Sequence, residues 1–186
     1  RWTMMGVDEE DDKGMGNDDL VGKVQAQAPP TKSSPIGEIF YGYLMLCANS
    51  FQPAMGYLYR ALALQQSDPL LCLLCGVASL GRSTNRQVDN RNHTIIQGMA
   101  LFTHYAELRG DIPEVDYNFA RAYHHLNLVH LAVPRYERVL ERASSKASKG
   151  TFDMAREAAF NLAMIFTQSG SPDLARHLYR TWLAVE

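Results

Sequence analysis

An all-α fold, built from helical hairpins stacked one on the next, follows from three features of the sequence. From Gly37 onward apolar residues recur three and four positions apart, with no two-residue alternation. Chain breakers punctuate that pattern at helix-length intervals. A fixed spacing of large, small and aromatic residues then recurs along the chain, the mark of a repeat architecture.

The breakers are Asn49-Ser50, Asp68-Pro69, Gly81 to Asn92, Gly110 to Pro113, Lys149-Gly150 and Gly170 to Pro172. They divide the chain into eight helices of about 12 to 16 residues each. Pro53, Pro69, Pro113 and Pro172 fall at helix starts, where a missing N–H costs nothing.

The repeat is clearest in its last two copies. Phe119, Ala120, Tyr123, Ala132, Tyr136 and Val139 have the spacing of Leu162, Ala163, Phe166, Ala175, Tyr179 and Trp182. Asn118 and Asn161 precede the first large residue in each, and Asn127 and Gly170 occupy equivalent turns. Tyr41, Gly42, Met45, Ala54, Leu58 and Ala61 match the spacing in full. A further copy opens with Cys75, Gly76 and Ser79, but its partner helix, with Gly98, Phe102 and Tyr105, comes ten residues late. Insertions are therefore expected near 81–92 and near 144–151. The small residues, Gly42 with Ala54, Gly76 with Gly98, Ala120 with Ala132 and Ala163 with Ala175, mark where paired helices approach closest. The aromatics fill the space between hairpins, so one hairpin alone leaves an apolar face that its neighbour closes. The pattern resembles tetratricopeptide-type hairpins stacked as a short right-handed solenoid over residues 37–186.

Residues 1–36 are different. Asp8, Glu9, Glu10, Asp11 and Asp12, then Asp18 and Asp19, are interspersed with glycine and lead into a stretch rich in Pro, Ser and Gln. Such a segment buries too little side chain to offset the entropy of ordering it, and reads as a disordered acidic linker or insert. A calcium loop beginning at Asp8 fails, because Lys13 and Asp19 stand where an EF-hand needs Gly and Glu. The chain opens on Arg1 and not Met, which reads as a piece of a longer protein. A net charge of −2 gives no general attraction for nucleic acid or an anionic membrane. Three cysteines cannot pair completely, which suits a reducing compartment.

The candidate chemistry is thin, and an enzyme is not expected. Cys72-x-x-Cys75 lies at core spacing on one helix and lacks the second pair that zinc needs. His93, His104, His124, His125 and His130 fall at no metal-site spacing. Phosphate-binding glycine motifs and the G-x-S-x-G elbow are missing from the sequence. Arg135, Arg138 and Arg142 beside Glu137 and Glu141 read as a solvated helix face. No cofactor, metal or small-molecule substrate is implied.

The expected functional surface is the concave groove lined by the first helix of each hairpin. Its outward positions are Glu114, Tyr117, Arg121 and His124 in the third repeat, and Glu157, Phe160, Met164 and Thr167 in the fourth. Tyr117, Arg121, His124, Phe160, Met164 and Thr167 are the candidate partner contacts, because aromatic, Arg and Met side chains commonly anchor such interfaces. In the first two repeats the same positions are apolar: Ile39, Tyr43 and Leu46, then Leu73, Val77 and Leu80. A peptide-carboxylate clamp of the chaperone-adaptor kind is the alternative, although Arg121 is the one basic residue beside Asn118 and Asn161.

The block Arg91-Asn92-His93-Thr94-Ile95-Ile96-Gln97-Gly98, followed by Phe102, Tyr105 and Leu108-Arg109-Gly110, resembles a particular family. It is the tetratricopeptide-repeat subunit of the RNA polymerase III general transcription factor IIIC. Tyr117 to His124 with His130-Leu131-Ala132, and Ala159 to Phe166 with Ser169-Gly170, carry the same resemblance. It runs from about residue 37 to the end. It implies a nuclear scaffold in transcription initiation at genes of the transfer-RNA type. The implied partners are other subunits of the factor and initiation factor IIIB, with promoter DNA engaged mainly indirectly and no membrane contact.

Overall fold

Proline and side-chain caps set where the helices begin. In the computed structural model, which describes residues 34–86, 88–144 and 154–184, Pro69, Pro113 and Pro172 each open a helix. The Asp68 carboxylate accepts from the backbone N–H of Leu70 at 2.8 Å, and Asn90 accepts from that of His93 at 3.0 Å. The helices are α1 (Pro35–Cys47), α2 (Phe51–Leu64), α3 (Pro69–Ser83), α4 (Arg91–Arg109), α5 (Pro113–His125), α6 (Val129–Ser144), α7 (Ala155–Gln168) and α8 (Pro172–Leu178). The last runs into a π-helical turn, Tyr179–Leu183. No strand occurs among the described residues. The fold is all-α, a series of helical hairpins.

Three hairpin turns share one geometry. Asn49, Asn127 and Gly170 adopt the left-handed conformation, at φ of 55°, 61° and 79°. At each, the next N–H reaches back across the turn: Ser50 to Met45, Leu128 to Tyr123 and Ser171 to Phe166, all at 2.8 Å. This 6→1 bond, with the 5→2 bonds from Asn49, Asn127 and Gly170 themselves, closes a helix end that favours Asn or Gly at that position. The second hairpin departs from this pattern. Its equivalent residue, Ser83, stays helical and buried, with its hydroxyl donating to the Leu80 carbonyl at 2.7 Å.

The insertion expected near 81–92 is correspondingly shorter than the sequence suggested. Gly81 to Ser83 belong to α3, and Arg91 and Asn92 to α4. Gly81 is a packing residue and not a breaker: a Cβ there would stand 2.2 Å from the Phe51 ring. The first helix of the described residues, α1, begins at Pro35, two residues ahead of the expected boundary. The expected acidic disorder before it and most of the second insertion lie outside the described residues.

Each hairpin closes on small residues. A Cβ on Gly42 would meet Leu58 at 2.6 Å, one on Gly76 would meet Phe102 at 2.7 Å, and one on Gly98 would meet Leu80 at 2.9 Å. Ala54, Ala120, Ala132 and Ala163 have no exposed surface, and Ala175 has almost none. Three overlapping cores follow. The first joins α1, α2 and α3 around Leu58, Leu71 and Cys75; the second joins α3, α4 and α5 around Phe102, Tyr105 and Phe119. The third runs through α5 to α8 around Tyr136, Val139 and Leu162. Leu62 packs against the first two cores, and Tyr123 against the last two.

The arginine stripe of α6 is not a solvated face, a correction to the sequence reading. Arg135 donates to Asp116 at 2.6 Å, and Arg138 and Arg142 both reach Asp111, at 2.9 and 2.5 Å. Asp116 is 2% exposed. Burying a carboxylate requires such partners, and here they tie α6 to α5 and to the turn before it. Asp111, which is exposed, is held below its ordinary value chiefly by its hydrogen bond from Arg142.

Candidate functional site

Helices α5 and α7 lie side by side and, with the C-terminal turn, border an open cleft of about 370 Å³. Its lining is Tyr117 and Arg121 from α5, Arg156, Glu157, Phe160 and Asn161 from α7, and Leu183. Phe160 is 49% exposed, and Met164, one turn further along α7, is also exposed. Three expected contact residues, Tyr117, Arg121 and Phe160, therefore border one depression, with the Phe160 ring open to a partner.

Tyr117 departs from its expected outward position. It is buried, packs edge-on against Tyr136 with ring centroids 6.1 Å apart, and still lines the cleft. That hydroxyl accepts from Arg121 Nη1 at 3.4 Å and Asn161 Nδ2 at 3.2 Å. The cause is ring size: a tyrosine at this point of α5 reaches into the core shared with α6 and α7. His124 is only partly exposed, with its ring edge-on to Tyr136 at 6.3 Å. Burial, with the nearby Arg121 and His125 charges, pulls its pKa below 6.5. Thr167 is exposed, and its hydroxyl donates to the Ala163 carbonyl of its own helix at 2.8 Å.

The apolar positions of the first two repeats are less open than expected. Tyr43 and Val77 are exposed, but Ile39, Leu46 and Leu73 pack against the cores. Leu80 is buried outright, because Gly98 on α4 lets the helices close over it. Glu114 is not a free groove residue either. It accepts from the Tyr105 hydroxyl at 2.8 Å and pairs with Arg109.

Arg156 and Leu183 belong to the cleft and were not expected there. Arg156 stands where the third repeat has Pro113, in the first turn of its helix, so no groove pattern pointed to it. Leu183 arrives through the π-helical turn, which the local sequence does not announce.

No family model matches the chain. Curated proteins do. Transcription factor tau subunit sfc4 of Schizosaccharomyces pombe is 35% identical over 169 residues, covering 83% of this chain and 17% of that protein. The transcription factor tau 131 kDa subunit of Saccharomyces cerevisiae is 32% identical over 163 residues, covering 84% and 15%. General transcription factor 3C polypeptide 3 of Homo sapiens is 28% identical over 150 residues, covering 79% and 17%. The chain is a homologue of one segment of transcription factor IIIC subunits. It spans about a sixth of the length of these relatives.

The end of α4 is tied to α5. Arg109 of Leu108-Arg109-Gly110 pairs with Glu114, Tyr105 donates to the same carboxylate, and Asn118 Nδ2 donates to the Tyr105 hydroxyl at 2.9 Å. Gly110 ends the helix at φ 79°. The motif thus joins the second hairpin to the third. Burial and the Glu114 bond push the Tyr105 phenol up to about 12. Asn118 and Asn161 are both spent on tyrosine hydroxyls of preceding helices, so neither is arranged as the clamp reading requires.

The remaining motifs fall into packing or onto the surface. Cys72 and Cys75 are fully buried, and Cys47 is exposed. His93, His104, His125 and His130 are exposed, with His104 near Glu107 at 3.4 Å. Among the described residues no three His, Cys, Asp or Glu side chains are grouped to hold a metal, and no helix is long and apolar enough to cross a membrane.

Proposed function

We propose that this chain is a protein–protein interaction scaffold of transcription factor IIIC, acting in the nucleus to support initiation by RNA polymerase III. Its partners on this reading are other subunits of the factor and initiation factor IIIB, with promoter DNA engaged mainly through them. Homology to transcription factor subunits carries the class of function. The open cleft between α5 and α7, lined by Arg121 and Phe160 among others, supports the docking role.

The test is affinity capture of the protein from nuclear extract, with transcription factor IIIC subunits measured in the eluate. Arg121→Glu combined with Phe160→Ala is expected to reduce their recovery about tenfold or more, since aromatic and Arg anchors dominate such interfaces. Helicity by circular dichroism should be unchanged. Equal recovery with wild type would remove the cleft from the interface; recovery of none by the wild type would remove the assignment to the complex.

A further inference from the structure

The cleft is chemically asymmetric. Arg60, Arg109, Arg135, Arg138 and Arg142 each pair with a carboxylate of this chain. Arg121 and Arg156, which border the cleft, have no carboxylate within ion-pair reach among the described residues. Glu157 is the one acidic residue in the lining, which therefore holds two arginines and a single carboxylate.

The Tyr117 hydroxyl adds a third donor. Arg121 Nη1 and Asn161 Nδ2 both donate to it, so its two acceptor positions are filled. Its own proton finds no acceptor among the described residues, and Tyr117 lines the cleft. Beside these donors lie the half-exposed Phe160 ring and Leu183. Donors that line one space, next to an uncovered apolar surface, match a ligand with both a carboxylate and an apolar side chain.

We propose that the α5–α7 cleft recognises an acidic peptide segment of a partner protein. A side-chain carboxylate sits between Arg121 and Arg156 and accepts from the Tyr117 hydroxyl, while a neighbouring aliphatic or aromatic residue packs on Phe160 and Leu183. This names the partner chemistry for the docking surface above and rests on that reading. It differs from a terminal-carboxylate clamp, because the anion is a side chain and neither asparagine holds it.

The probe is the peptide Asp-Phe-Glu-Leu-Asp, acetylated and amidated so that no terminal charge remains, titrated into the 186-residue chain by isothermal titration calorimetry. Binding is expected to weaken about tenfold in Arg121→Ala and in Arg156→Ala, the loss of one charge-assisted contact each. A smaller loss is expected in Tyr117→Phe, which removes the donor and keeps the ring. Affinity should fall as salt is raised. The amide version of the probe, Asn-Phe-Gln-Leu-Asn, should bind at least tenfold more weakly. Equal affinity for the acidic and amide peptides, unchanged affinity in both arginine variants, or no binding of the acidic peptide would each overturn the proposal. If the acidic probe fails while Arg121→Glu with Phe160→Ala still loses subunits from nuclear extract, the docking surface stands and the acidic chemistry falls.

Discussion

Cys72 and Cys75 sit one turn apart on α3 with no exposed surface, and burial pushes the Cys75 thiol up to about 12. A thiol held there carries no thiolate at neutral pH, and the thiolate is the reactive form. Ellman's reagent should therefore titrate one thiol rapidly in the native protein, Cys47, and the other two only as α3 opens. Three fast equivalents would contradict the burial of α3. His124 makes a second prediction at this scale. Its pKa is lowered from 6.5 chiefly by burial, so the unfolded chain takes up the proton first as pH falls. The linkage then runs one way: stability is undiminished by this group above about pH 6.5 and drops as pH is lowered through that value. His124→Gln should flatten the pH dependence of the urea midpoint between pH 7.5 and 5.5. An unchanged slope would show that the imidazole is solvated alike in both states. The same residue shows where sequence reading of the site stopped. Its place on the face of α5 was legible, but its contact with the Tyr136 ring depends on how α6 crosses α5.

At the scale of the helix, small residues divide into those that packing requires and those it does not. Gly76 faces Phe102, and an added Cβ would lie 2.7 Å from the ring. Gly56 is exposed on α2, and an added Cβ would meet only the end of Arg60, at 3.8 Å. Gly76→Ala should therefore destabilise by about 1–3 kcal/mol through overpacking. Gly56→Ala should stabilise by about 0.5–1 kcal/mol, since alanine loses less backbone freedom in a helix. Urea denaturation of both checks the pair, and a shift of the same sign in each would remove the packing role given to Gly76. The repeat was legible because small, large and aromatic residues recur at fixed local distances. The polar ties were not, because their partners are far apart in sequence: Asp111 and Arg142 are 31 positions apart, and Glu38 and Arg60, which pair at 2.8 Å, are 22 apart. Gly81 misled for the same reason. Only the position of Phe51, across the hairpin boundary, tells a packing glycine from a breaker.

Over the whole stack, stability passes from hairpin to hairpin through nearest-neighbour contacts, and the unit unfolds as one only if every contact couples strongly enough. Between the second and third hairpins that contact consists of the Phe102–Phe119 edge contact at 5.6 Å, with Val115 and Ala122 packed beside it, and the Arg109, Glu114, Tyr105 and Asn118 network. Glu114 is the centre of the polar part, receiving both Tyr105 and Arg109. Removing it leaves the Tyr105 hydroxyl without its acceptor and Arg109 without its counter-charge, a loss of about 1–3 kcal/mol concentrated at one junction. Glu114→Ala should therefore loosen the coupling between the two halves and not merely lower the midpoint of a single transition. Trp182, which packs in the last core, reports the C-terminal half by fluorescence in a Trp2→Phe background, and protection of Cys72 and Cys75 reports the N-terminal half. Under urea the two probes should coincide with Glu114 in place and separate in Glu114→Ala, with neither half losing its helicity in water. Coincident transitions in the variant would mean that Phe102 and Phe119 carry the junction alone, and that the Leu108-Arg109-Gly110 end of α4 shapes the turn without holding the stack together.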